Sequence, residues 1–322
     1  MTQADNLTSG PLPSLVPESG PEIRRIAFEA LEKSGQLGNP PTDLDQVARS
    51  HGVEVVSDPA RLRYQYIQSL PAEKQEAAEA AFDKLKGIAD LESGAVWVPD
   101  DLSPKARAFP MAHELAHHLL GWHNIPSHTA HLDGSEDMQR DARDVFEREA
   151  NFAASELLFQ CGLLRRRAQL RRRSAERGFT LQCPVDLSSE FEASFQATII
   201  RYVETAGAPL ALGVYYRDGE DQNSEDRSGK NRHGLGRFDF WRLFASSSFA
   251  EGAWEPGFPS RIDPAHPWTQ SSASDQVIAG ETPCPISDEP RDPSFRWEAW
   301  SNGYSIFVLL RPNRVDTTTT AG

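Results

Sequence analysis

The sequence predicts an α+β protein with helices through its first two thirds and strands in its last third. Two patterns carry this expectation. Apolar residues recur three and four apart in segments from Ile23 to Val203, the spacing of one helix face. Near Pro209 the texture changes to short apolar runs such as Leu210–Tyr216 (LALGVYY) and Ser305–Leu310 (SIFVLL), which read as strands. At 322 residues the chain has room for about two domains. Its 33 basic and 47 acidic side chains argue against broad binding to nucleic acid or anionic membranes. No apolar run is long enough to span a bilayer, and the polar, Pro-, Ser- and Gly-rich opening lacks the pattern of a signal peptide. Cys161, Cys183 and Cys284 are widely spaced with no C-x-x-C, so the expectation is a reducing cytoplasm without a disulfide framework.

The elements follow in order. Residues 1–20 read as a disordered tail. Pro21–Gln36 predicts a helix opened by its proline, with Ile23, Ile26, Ala27, Ala30 and Leu31 on one stripe. Asp43–His51 reads as a short helix ended by Gly52, and Val53–Val56 as a strand. Pro71–Asp90, rich in Ala, Glu and Lys, reads as helical, and Gly94–Val98 (GAVWV) as a buried strand. Ser103–Gly121 forms the next helix, although Pro110 disfavours a helix interior and would fit better if the helix began near Phe109. After a loop over Asn124–Gly134, long helices are expected over Asp137–Gln160, Leu163–Arg177 and Leu187–Thr205. The aromatic stripe Phe191, Phe195 and Tyr202 on the last of these reads as core packing. Phe238–Phe244 is a further strand, Asp218–Gly236 a polar loop, and Pro256–Arg291 irregular.

The chemistry concentrates in His113-Glu114-Leu115-Ala116-His117, an H-E-x-x-H run inside the apolar stretch Phe109–Trp122. Residues four apart lie on one helix face, so His113 and His117 can hold one metal ion, with Glu114 beside them to act on water. Six of the nine histidines fall between positions 113 and 131. A catalytic zinc needs a third protein ligand. His123 has the metzincin spacing, but position 120 is Leu where that pattern turns at Gly, and no Met-turn follows. Glu147 and Glu149 are the alternatives. Glu147 is favoured, because Asn151 lies one turn further on the same face and can hydrogen-bond a ligand from outside. Small Ala150, Ala153 and Ala154 allow the two helices to pack closely.

With those residues in place, the chain resembles the ImmA/IrrE family of metallopeptidases. The family pattern is H-E-[LI]-G-H followed by a second helix reading E-x-x-A-N-x-F-A-A-x-L-L-M-P. Here that helix runs from Glu147 through Ala150-Asn151-Phe152-Ala153-Ala154 to Leu157-Leu158-Phe159-Gln160. Pro40–Val53 is similar to the family's segment before its first strand, and Gly94–Pro99 to its strand just before the motif helix. Ala116 stands for the usual Gly, Phe152 comes one residue early, and Phe159-Gln160 replaces Met-Pro, so this helix is expected to run directly into the next. The resemblance implies a zincin-like peptidase domain over 21–160 and a helical, helix-turn-helix-like segment over 161–206. A small β-rich domain of unassigned role then covers 207–312, with a tail over 313–322. Some family members carry a GAF-like sensor in the last region.

The resemblance further implies Zn²⁺, with Mn²⁺ as the alternative, on His113, His117 and Glu147, and Glu114 as general base. His118, His123, His128 and His131 are the choices for an additional oxyanion donor. Family members cleave a helix-turn-helix repressor and so switch on stress, DNA-damage or mobile-element genes. The same expectation applies here, with specific cleavage through a cleft narrowed by the Asn124–Asp137 loop. Arg165, Arg166, Arg167, Arg171, Arg172, Arg173 and Arg177 form the most basic stretch, read first as a solvated helix face and otherwise as a contact to DNA or to an acidic partner. The competing functions are a DNA-binding or sensor regulator on a degenerate peptidase fold, and a toxin–antitoxin component.

Overall fold

The computed structural model describes residues 16–58, 60–68, 71–73, 75–76, 79, 87–124, 136–175, 179–218, 236–251, 258–274, 276–282 and 295–313. The chain folds as two compact units. One comprises Ser14–Arg167 and Asp186–Thr198; the other is built from Ala168–Val185 and the chain from Ile199 onwards. Among the described residues no helix is long and apolar enough to cross a membrane.

The first unit opens with α1 (Gly20–Lys33), whose Pro21 occupies the first turn, where its missing N–H costs nothing. Ile23, Ala27, Ala30 and Leu31 form its buried stripe. The Ser34 hydroxyl closes the helix by donating to the Ala30 carbonyl at 2.8 Å. Asp43 caps α2 (Leu44–Ser50) by accepting from the Gln46 N–H. Strand β1 (Glu54–Val55) then leads to α3 (Ala60–Gln68), a helix that the sequence pattern does not announce. In the three-stranded sheet β3 (Ala95–Trp97) is central, parallel to β1 and antiparallel to the edge strand β2 (Ile88–Asp90). The expected helix over Pro71–Asp90 therefore gives way to a strand at its end; residues 80–86 lie outside the described residues.

The motif helix α4 spans Pro104–Leu119. Ser103 caps it by accepting from the Ala106 N–H, and Pro104 takes the first position. Pro110 is thus inside the helix, not at its start. Burial of Met111, Ala112, Leu115 and Ala116 along one face outweighs the hydrogen bond that proline cannot make. Helix α5 (Glu136–Leu158) crosses against α4 and α1. A shared cluster of Ile23, Ala116, Leu120, Ala150, Phe152 and Ala153 fills the junction. Alanines at 116, 150 and 153 let the backbones approach. Phe152, displaced by one residue from the family pattern, is only 4% exposed in this cluster.

Helix α5 does not continue into α6 (Leu163–Ala175). Gln160, Cys161 and Gly162 all have positive φ, of 51°, 49° and 101°, and break the chain between them. The Gln160 side chain explains why this break is held. Its Oε1 accepts from the Gly38 N–H at 2.7 Å and its Nε2 donates to the Thr42 hydroxyl at 3.1 Å. The helix expected over Leu187–Thr205 is likewise two helices, α7 (Gln182–Glu190) and α8 (Phe195–Glu204), separated at Glu192 with φ 47°. Phe191 at that break is buried edge-on to Phe159.

The second unit is built on a six-stranded antiparallel sheet in the order β6-β5-β4-β9-β8-β7. The strands are β4 (Ala211–Arg217), β5 (Phe238–Ala245), β6 (Arg261–Ile262), β7 (Ile278–Thr282), β8 (Phe295–Ser301) and β9 (Ser305–Pro312). Two short helices, α9 (Ser247–Glu251) and α10 (Ser271–Ser274), lie between strands in sequence. Pro256–Arg291, expected to be irregular, thus contributes β6, α10 and β7. Alternation explains the core. Phe295 and Ala299 on β8, Ile306, Val308 and Leu310 on β9, and Tyr215 and Ala211 on β4 point inward onto Phe249 and Trp268. Residues 219–235, within the expected polar loop, lie outside the described residues.

Candidate metal centre

Helix α4 presents His113 and His117 one turn apart, and the crossing helix α5 brings Glu147 to them. The His113 Nε2 and His117 Nε2 atoms are 3.2 Å apart. Glu147 places Oε2 3.2 Å from His113 Nε2 and Oε1 3.9 Å from His117 Nε2. One donor atom from each residue lies within 4.8 Å of the others. Two imidazole nitrogens and a carboxylate oxygen converging on one point suit Zn²⁺ or a similar divalent ion and leave a position open. Two nitrogen lone pairs at 3.2 Å repel one another unless a cation or a shared proton lies between them, so the donor set fits a metal. Glu149, the other glutamate considered as a third ligand, lies outside this group.

The electrostatics follow from burial and from these neighbours. Burial depresses the His117 imidazole to about 4, helped by the charge of His113, so His117 is neutral at physiological pH. Burial also works against charge on His113, but the Glu147 bond, the carboxylates of Glu114 and Glu147, and Asn151 together raise it. Glu147 is held below the usual carboxylate range, first by its bond to His113. The Asn151 side-chain oxygen lies 3.1 Å from His113 Nδ1 and orients that ring.

Glu114 is mostly enclosed. Burial pushes its carboxyl up to about 7, and the nearby charge of Glu147 adds to this against the opposing pull of His113. Its carboxyl also takes a hydrogen bond from the Ala89 N–H of edge strand β2. Gly87 permits this close seat: a Cβ at position 87 would stand 2.7 Å from Glu114 Oε1 and 2.8 Å from its Cγ. Sequence reasoning missed Gly87 and Ala89, because they end a segment whose composition is helical. The glycine followed by the apolar pair Ile88-Ala89 was the available signal.

The remaining histidines divide. His118 places Nε2 3.3 Å from the Ala95 carbonyl oxygen of β3, and burial lowers its pKa. His123 is 6% exposed, in the 3₁₀ turn Gly121–His123 that ends α4. That turn folds its ring back under the outer edge of His117, with the two Nδ1 atoms 2.9 Å apart. His123 is thus on the side of His117 away from His113 and Glu147. His128 and His131, and the loop expected to narrow the cleft, lie outside the described residues. In the arginine-rich helix, Arg167 pairs with Glu190 at 3.0 Å and Arg172 lies over the Phe179 ring at 3.8 Å, while Arg165 and Arg166 are exposed. Arg167 is thus engaged in an ion pair and Arg172 against an aromatic face.

A helix pair thus presents two histidines and a glutamate as a group that could hold a metal ion, with a mostly enclosed carboxyl alongside. Residues 49–202 match the family model of the IrrE N-terminal-like domain, peptidase family M78. A solved structure described as a Mycobacterium tuberculosis transcriptional regulator is similar in fold, with a TM-score of 0.52. It is 18% identical, over 90% of this chain and 76% of that one. No curated protein matches the chain.

Proposed function

We propose that the chain is a zinc-dependent endopeptidase that cuts one chosen protein, a helix-turn-helix transcriptional repressor, in a stress, DNA-damage or mobile-element response. The observation that carries this reading is the convergence of His113, His117 and Glu147, with the Glu114 carboxyl buried beside them. These three side chains hold Zn²⁺, with Mn²⁺ as an alternative occupant; Asn151 fixes the His113 ring. When bound, such an ion acidifies water and polarises a carbonyl.

The chain's own residues do the rest. Glu114 takes a proton from the attacking water on its carboxylate oxygen as the water oxygen bonds to the peptide carbonyl carbon. It then returns that proton to the departing amide nitrogen as the C–N bond breaks. Burial holds that carboxyl up at about 7 in the metal-free protein, and a cation held beside it would pull it down toward the ionised form that accepts the proton of water. The Ala89 N–H and the glycine at 87 hold that carboxyl against the edge strand.

The family match supports a peptidase, and the fold neighbour's description as a transcriptional regulator supports a setting in gene control. The acidic charge balance and the absence of an apolar span in the sequence agree with a cytoplasmic protein. Metal content of the purified protein, paired with cleavage of co-expressed repressors by wild type and Glu114→Gln, tests the reading. One equivalent of zinc and cleavage lost in Glu114→Gln are expected. A protein that holds neither zinc nor manganese, or a Glu114→Gln variant that still cleaves, would leave the DNA-binding or sensor regulator as the better account.

A further inference from the structure

We propose that His123 and Glu149 form a positioning relay that fixes the tautomer of His117 and thereby strengthens metal binding. The inference rests on the reading of His113, His117 and Glu147 as ligands. It concerns two residues that the spacing of the sequence offered as ligands themselves and that the fold places one layer further out.

Hydrogen-bond direction sets the protons of the relay, starting at its far end. Glu149 is buried, and its carboxylate can only accept. Around it stand Trp122 Nε1, which can only donate, at 2.8 Å from Oε2, the Ser19 hydroxyl on Oε1, and His123 Nε2 at 3.0 Å from Oε2. His123 Nε2 must therefore carry a proton. In a neutral ring this leaves His123 Nδ1 as a bare acceptor. That acceptor lies 2.9 Å from His117 Nδ1, so His117 carries its proton on Nδ1. The consequence falls on the other side of the ring: His117 Nε2 is left with a free lone pair, and it is this atom that faces His113 and Glu147.

The geometry of the relay is over-determined. The His123 ring is clamped by Phe146, with centroids 4.6 Å apart and planes inclined by 31°. Its backbone N–H is tied to the Leu120 carbonyl at 2.7 Å in the turn after α4. The ring of His117 cannot rotate without breaking the bond to His123. Ring orientation and protonation site are thus set before any ion arrives, and outer partners of this kind affect metal affinity by about 10–100-fold.

The test uses the full-length protein with Zn²⁺ alone, its affinity read by competition with a chromophoric chelator. His123→Phe and Glu149→Leu are expected to weaken Zn²⁺ by about 10–100-fold. Glu149→Gln is expected to stay within a few-fold of wild type, because its amide oxygen can still accept from Trp122 and His123 while Ser19 turns to accept from the amide N–H. In the metal-free protein, ¹⁵N spectra should show His117 protonated on Nδ1 in wild type and Glu149→Gln, and a mixture of tautomers in His123→Phe. If Glu149→Leu does not fold, the remaining two variants decide. Folded His123→Phe with wild-type Zn²⁺ affinity and an unchanged His117 tautomer overturns the relay. So does X-ray absorption showing that His123→Phe removes a nitrogen from the bound metal, since His123 would then be a ligand. Wild-type protein that binds no Zn²⁺ overturns the metal site instead, and the tautomer spectra still judge the relay.

Discussion

Replacing Glu114 by Gln should make the metal-free protein more stable, and increasingly so as pH rises. The unfolded chain releases the Glu114 proton near 4.5, whereas the folded protein retains it up to about 7 because burial disfavours the charge. Between those values the folded state binds one more proton than the unfolded state, so stability falls as pH rises through the window and levels above it. At about 1.4 kcal/mol per pH unit, the full interval from 4.5 to about 7 costs the wild type about 3 kcal/mol. Gln cannot ionise, so it escapes this loss and can still accept from the Ala89 N–H. The stability of Glu114→Gln minus that of wild type should grow from about 1 kcal/mol at pH 5 to about 3 kcal/mol at pH 8. Urea unfolding of both proteins in EDTA, at half-unit steps of pH, measures this difference directly. A difference that stays constant across the series would refute the reasoning, because it would mean that the folded protein lets Glu114 ionise as freely as water does.

Two further outcomes are expected. Gly87→Ala sets a methyl group 2.7–3.0 Å from the carboxyl, Cγ and Cδ of Glu114; cleavage should fall at least about 10-fold with the unfolding midpoint nearly unchanged, since a misplaced catalytic group is costly. Equal cleavage by Gly87→Ala would show that Glu114 works from another position. Phe159→Ala empties a site that is 1% exposed and packed edge-on to Phe191; urea unfolding should show a loss of about 3–5 kcal/mol, and a loss under about 1 kcal/mol would mean that the cavity collapses.

The parts of the site that a sequence shows best are those set by local spacing. His113 and His117 share a face because a helix repeats, and Asn151 follows Glu147 for the same reason. Which glutamate would face the histidines depends on the crossing of two helices; the spacing to Asn151 favoured Glu147 over Glu149, but no spacing within one helix describes that crossing. The two glutamates point to different neighbours: Glu147 to His113, Glu149 to His123, Trp122 and Ser19. The link to Ser19 joins residues 130 apart in the chain and leaves no trace in any window of sequence. Helix breaks were hidden for a different reason. Gln160, Cys161 and Glu192 adopt positive φ without being glycine, and the tertiary bonds of Gln160 to Gly38 and Thr42 hold the first break in place. Strand β2 was masked by the helical composition ahead of it, and β7 by the Pro- and Ser-rich text around it.

The order of strands in the second unit carries a consequence for synthesis. β4 lies in the middle of the sheet between β5 and β9, and β9 is the last of the described strands to be made. Residues 218–304 must emerge between them, which at about 5–20 residues per second is a wait of ~4–17 s. During that interval β4 has one bare edge on which Leu212 and Val214 await Leu309 and Phe307. Both helices that bring His113, His117 and Glu147 together have left the ribosome by then. The first unit can thus assemble its donor set while the sheet of the second still waits for β9.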